Sequence, residues 1–146
     1  MPNGDEVTPG EEGLSAGNAI AIRSAADIVE ARQQGRALAA RFGFTGSDLT
    51  VIATAISELA RNVLEYAKTG EIVLSLAQKG SRNGIKIVAR DTGPGIADLA
   101  KAMQDGYTTG KGLGIGLPGV RRLMDEFEIV SEVNKGTIVT VKKWVL

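Results

Sequence analysis

Neither cysteine nor histidine occurs anywhere in the 146 residues. The first absence excludes disulfides, thiolate metal sites and a cysteine nucleophile. The second removes Ser-His-Asp hydrolysis, imidazole-ligated zinc or haem, and any histidine that would carry its own phosphoryl group. Aromatic residues are only 4% of the chain, so the core has to be built from Ala, Val, Ile and Leu. An excess of either charge is missing too. Lys and Arg number 17 against 17 Asp and Glu, which argues against a nucleic-acid binder and against a polybasic membrane anchor. No apolar run is long enough to span a bilayer, and no basic start followed by an apolar stretch marks a signal peptide. A cytoplasmic protein is the expectation.

The length suits one domain. Met1–Gly17 is rich in Gly, Pro, Asp and Glu and reads as a disordered leader, leaving 18–146 as the folded unit. Asn18–Arg23 predicts a strand. Ser24, with Asp27 three residues on, suggests a capping box for a helix that runs to about Phe42 and ends at Gly43. Thr45–Ser47 opens a second helix, in which Ile52, Ile56, Leu59, Val63 and Tyr66 recur as a core-facing stripe and which Gly70 should terminate. Glu71–Ala77 and Ile85–Ala89 read as strands about a Lys79–Gly84 turn. Asp91–Gly95 is a tight turn, Ile96–Met103 a short helix, and Asp105–Gly116 a glycine-rich loop. A helix over Gly116–Glu126 and a hairpin of Phe127–Val133 and Thr137–Trp144 complete the chain. The order predicts an α/β (α+β) two-layer sandwich, a mostly antiparallel mixed sheet with helices on one face.

Three segments have the residue types for chemistry. In Ser57-Glu58-Leu59-Ala60-Arg61-Asn62, Glu58 and Asn62 lie four apart and leave one helix face. A carboxylate there can take or orient a proton, and an amide oxygen can ligate Mg²⁺; the same pattern also fits a solvated polar face. In Asp91-Thr92-Gly93-Pro94-Gly95, glycines allow close backbone approach and Asp91 can accept from an exocyclic amine such as that of adenine; a plain turn is the alternative. Gly110-Lys111-Gly112-Leu113-Gly114-Ile115-Gly116-Leu117 leads into a helix and exposes backbone N–H groups suited to phosphates, or serves as a linker. Two look-alikes fail. Gly114–Gly119 matches G-x-G-x-x-G without the apolar strand that must precede it. Gly106–Gly112 is one residue short of a P-loop and has Gly112 where Ser or Thr must hold the metal.

In this order the three segments resemble the N, G1 and G2 boxes of the GHKL superfamily of ATPases and kinases, from about Asn18 to Leu146. Within it, SELARNVLEYA and GKGLGIGLPGVRRLMDEFEI are most similar to the switch and anti-sigma serine/threonine kinases of the stressosome type. The resemblance implies the Bergerat ATP-binding fold, with Glu58 as catalytic base and Asn62 as Mg²⁺ ligand. It implies Asp91 on the adenine amine, Gly93 and Gly95 shaping that pocket, and Thr137 supporting it. Lys111, Gly112, Leu113, Gly114, Ile115, Gly116 and Leu117 correspond to the lid over the phosphates. Arg61 departs from the common N-box pattern but recurs in switch kinases. The implied activity is ATP- and Mg-dependent phosphorylation of Ser or Thr on a STAS-domain partner, with activation of a downstream phosphatase or effector on release. Histidine-kinase and gyrase-like members need further domains that this length does not accommodate. The alternative kept open is a nucleotide-gated anti-sigma or sequestering protein without significant catalysis; a carboxylate at Glu58 favours catalysis.

Overall fold

The computed structural model describes residues 17–104 and 115–146. All of the expected leader but Gly17, and most of the glycine-rich loop, Lys111–Gly114 included, lie outside the described residues. Among the described residues, five strands form one sheet: β1 (Asn18–Ile22), β2 (Gly70–Lys79), β3 (Arg82–Asp91), β4 (Glu126–Glu132) and β5 (Gly136–Trp144). Their order is β1-β2-β3-β5-β4. Every pairing among them is antiparallel, so the sheet is not mixed. Each neighbour is reached by a hairpin or by a helical excursion that returns antiparallel. The helices are α1 (Ala25–Arg41), α2 (Ser47–Asn62), a short α3 (Leu99–Ala102) and α4 (Gly116–Leu123).

The core sits between the sheet and α1, α2 and α4. Strand residues of one parity are buried, Ile20 and Ile22, Ile72 and Leu74, Ile85 and Ile87, Val139 and Val141, as a half-covered antiparallel sheet requires. Helix α2 contributes Ile52, Ile56 and Leu59, each 1% exposed or less. It lies against α1 closely enough that a Cβ at Gly35 would overlap Ile56 Cδ1. The core is aliphatic, as the scarcity of aromatics demands.

Several local expectations change. Ser24 holds the N-cap position with extended backbone, but its side chain makes no capping bond. Asp27 instead accepts from the Arg23 N–H at 2.8 Å, so the acid reaches one residue too far back to complete a box. Beyond Asn62 the helix continues as a single π turn, Val63–Ala67. The wider turn rotates the face: Val63 stays buried, whereas Tyr66, expected in the core stripe, is 44% exposed. The turn ends at Lys68, which has φ 74°. Gly70, expected as the helix stop, is the first residue of β2. Helix α4 stops at Leu123 because Met124 is extended, and Glu126 belongs to β4, where its Oε2 accepts from Trp144 Nε1 at 2.9 Å.

Ile56 is fully buried between α1 and the sheet. Ile56→Ala should lower the unfolding free energy by about 2–5 kcal/mol, read as a reduced urea midpoint at unchanged slope; a loss well below 1 kcal/mol would show that this layer is not closely packed.

Candidate functional site

Helix α2 has two jobs along one length. Its stripe of Ile52, Ile56 and Leu59 faces the sheet, and the residues beside that stripe turn toward a cleft at the helix C-terminal end. The cleft is a cavity of about 470 Å³. Glu58 and Asn62 of α2, Asp91 at the end of β3, Gly95, Gly116, Leu117 and Thr137 all line it. Residues far apart in sequence therefore meet on one concave surface. Its floor is apolar, with Leu59, Val63, Ala89, Ile96 and Val139 among the lining side chains, the mixture of greasy walls and few polar groups that small-molecule sites show.

Glu58 is only 8% exposed. A carboxylate so placed needs hydrogen-bond partners. Arg61, one turn on, supplies one: its Nη1 donates to Glu58 Oε2 at 2.6 Å. The Gly116 N–H at the start of α4 donates to Oε1 at 3.4 Å. One oxygen is thus fixed by its own helix and the other faces the first residue of α4. Asn62 is half-buried on the same wall. Its side-chain oxygen is a hard donor of the kind Mg²⁺ accepts. No cluster of three acidic, His or Cys side chains occurs among the described residues.

The other end is built by the β3–β5 ladder, which sets Asp91 directly opposite Thr137. Asp91 Oδ1 accepts from the Gly93 N–H at 2.9 Å, closing the turn and leaving Oδ2 for another donor. Gly93 packs on Ala67 of the π turn and does not itself line the cleft. Gly95 has φ 77°, and a Cβ there would run into the Glu132 carbonyl; the turn needs glycine at this point. Thr137 Oγ1 shares a 2.7 Å hydrogen bond with Ser131 Oγ, which also accepts from the Ile96 N–H at 2.7 Å. Ser131 thereby ties the Gly95–Ile96 turn to β5. It was not among the expected site residues, yet the signal is in the sequence: Phe127, Ile129 and Ser131 alternate on one strand face, and a hydroxyl in the inward series asks for a buried partner. Glu65, Tyr66 and Lys101 also line the cleft and were missed; the π turn that brings Glu65 and Tyr66 there leaves no mark in the apolar periodicity. Of the lid residues, Ile115 is 40% exposed, while Gly116 and Leu117 line the cleft.

Residues 23–143 match the family described as histidine kinase-like ATPase domain, and the chain belongs to that family. It is 49% identical over 125 residues to the serine/threonine-protein kinase RsbT of Bacillus subtilis (strain 168), covering 86% of this chain and 94% of that protein. It is 34% identical over 113 residues to an anti-sigma F factor of Thermoanaerobacter sp. (strain X514), covering 75% of this chain and 79% of that one. Among solved structures, the mycobacterial sensor histidine kinase MprB superposes with a TM-score of 0.54 at 16% identity, over 88% of this chain and 97% of that one, a likeness of fold. Similarity to RsbT at that level, over nearly all of both chains, makes the protein a serine/threonine protein kinase by class, and ATP is the nucleotide that family and class imply. No helix among the described residues is long and apolar enough to cross a membrane.

Replacing Gly95 by alanine forces a side chain into a left-handed conformation against the Glu132 carbonyl. Gly95→Ala should destabilise the fold by at least about 1–2 kcal/mol, measured by urea denaturation; an unchanged midpoint would mean that the turn has room to relax.

Proposed function

We propose that the cleft binds Mg-ATP and that the chain transfers the γ-phosphoryl group to a Ser or Thr of a STAS-domain partner in a partner-switching pathway, acting afterwards on a downstream phosphatase or effector. The observation that supports this most directly is the convergence of Glu58, Asn62, Asp91 and Thr137 on one cavity large enough for a nucleotide. In this reading adenine lies over the apolar floor, with its amine on Asp91 Oδ2 and Thr137 alongside. The triphosphate runs toward the start of α4. Gly116, Ile115 and Leu117, together with Lys111, Gly112, Leu113 and Gly114 outside the described residues, form the lid.

Asn62 would hold Mg²⁺ together with phosphate oxygens, and the ion's chemistry would be to offset the negative charge on the triphosphate. The remaining work falls to the chain. Glu58 takes the proton of the acceptor hydroxyl as its oxygen bonds the γ-phosphorus. The bond from that phosphorus to the β,γ-bridging oxygen breaks, its electrons leave with ADP, and Glu58 later returns the proton to solvent. Arg61 holds the Glu58 carboxylate at a fixed rotamer through the 2.6 Å contact. Phosphoryl transfer asks chiefly for positioning and charge stabilisation, and a buried, two-point-anchored carboxylate supplies the first.

The test uses ATP labelled in the γ-phosphate, magnesium and a purified STAS-domain protein. Label should appear on a partner Ser or Thr. Glu58→Ala should lower the rate by about 10²- to 10⁴-fold while ADP affinity is kept. Asp91→Asn should instead weaken ADP binding about tenfold or more, the loss of a charge-assisted hydrogen bond. Tight nucleotide binding by the wild-type chain with no transfer to any STAS partner would favour a nucleotide-gated anti-sigma or sequestering protein without significant catalysis.

A further inference from the structure

Glu58 lines both the nucleotide cleft and a cavity between α1 and α2, and among the described residues it alone is shared by those two. The second is a groove of about 320 Å³ between α1 and α2, walled by Arg32 and Arg36 on one side and by Thr50, Thr54 and Ser57 on the other. The carboxylate is therefore a partition, with a cleft fit for a nucleotide on one side and a polar groove on the other. Phosphoryl transfer sets the entering and leaving oxygens roughly in line across the phosphorus. A base that serves the entering hydroxyl must be reachable by the acceptor as well as by the nucleotide, and the α1–α2 groove is a second opening that meets Glu58.

The groove's charge specifies what it takes. Arg32 and Arg36 lie one turn apart on α1, both exposed. Neither has a carboxylate partner among the described residues. Glu30, two residues before Arg32, accepts from Gln34 Nε2 at 2.7 Å instead. Two guanidiniums with no carboxylate partner among the described residues, in a chain of zero formal net charge, make a local positive patch, which selects acidic surfaces and steers their approach. The opposite wall is short and hydroxyl-bearing, and Ser57 Oγ is turned back to the Ala53 carbonyl at 3.0 Å, leaving Glu58 as the one carboxylate on the groove's lining.

We propose that this groove seats the acceptor segment of the protein substrate, a Ser- or Thr-bearing stretch flanked by acidic side chains that pair with Arg32 and Arg36. The acceptor oxygen reaches the γ-phosphorus from the groove side and gives its proton to Glu58, while ADP leaves on the cleft side. The inference rests on the kinase reading of the cleft.

Its test is a charge swap in the full chain. With the STAS-domain acceptor that the wild type labels, Arg32→Glu with Arg36→Glu should raise KM for the acceptor tenfold or more, leaving kcat at saturation and ADP affinity unchanged. Arg32→Gln with Arg36→Gln, a milder pair on the same exposed face, should give a smaller rise. An acceptor whose acidic residues flanking the labelled hydroxyl are changed to Lys should be a poor substrate for the wild type and be recovered by the Glu pair. An unchanged KM, a loss confined to kcat or ADP affinity, or no recovery in the swap would overturn the proposal. If the wild type binds the acceptor but does not label it, the kinase reading fails, and the same variants read by calorimetric affinity for that acceptor still decide the groove: weakened binding supports it and unchanged binding ends it.

Discussion

Keeping a carboxylate at 8% exposure constrains the rest of this domain. An unpaired charge at such a depth would be strongly destabilising. Glu58 is therefore held from two directions: Arg61 at 2.6 Å from its own helix, and the Gly116 N–H at 3.4 Å from the start of α4. The second contact joins positions 58 residues apart and couples the helix that carries the carboxylate to the segment that leads into α4. Helix α2 can place the group so firmly because its neighbouring stripe is fully engaged with the sheet. Core packing and the position of the acid are one arrangement, and loosening Ile56 or Leu59 would loosen the site.

The far end of the cleft depends on register in the same way. The β3–β5 ladder is continuous from Gly84 to Asp91, so the residue opposite Asp91 is Thr137 and no other. The Ser131 hydroxyl then links that pair to the Ile96 backbone, fixing the turn that contains Gly95. One end of the cleft is set by helix geometry and the other by strand pairing, and the distance between them follows from how α2 lies across the sheet.

Much of this was readable beforehand. The stripe Ile52, Ile56, Leu59, Val63 identified α2 and its buried face, because a straight α-helix repeats its face at that spacing. The hairpin of β4 and β5 followed from apolar runs around Asn134 and Gly136, with its strand bounds one residue off at all but the last position. Glu58, Asn62, Asp91 and Thr137 were named from motif order, and the fold brings them to one cavity. What escaped had physical reasons. A π turn changes the angular step for five residues, so Tyr66 moved from the core to the cleft wall. The capping box at Ser24 failed because Asp27 bonds the Arg23 amide instead, a choice that depends on rotamers. The α1–α2 groove could not be anticipated at all, since it depends on how closely two helices pack at Gly35 and Ile56.

The division of space by Glu58 is most directly examined by a crystal structure of the chain with magnesium and a non-hydrolysable ATP analogue. Adenine on Asp91 and the γ-phosphate beside the Glu58 carboxylate, with the α1–α2 groove still open behind it, is the expected result. A triphosphate directed away from Glu58, or a nucleotide that fills the groove itself, would contradict the assignment of donor and acceptor sides.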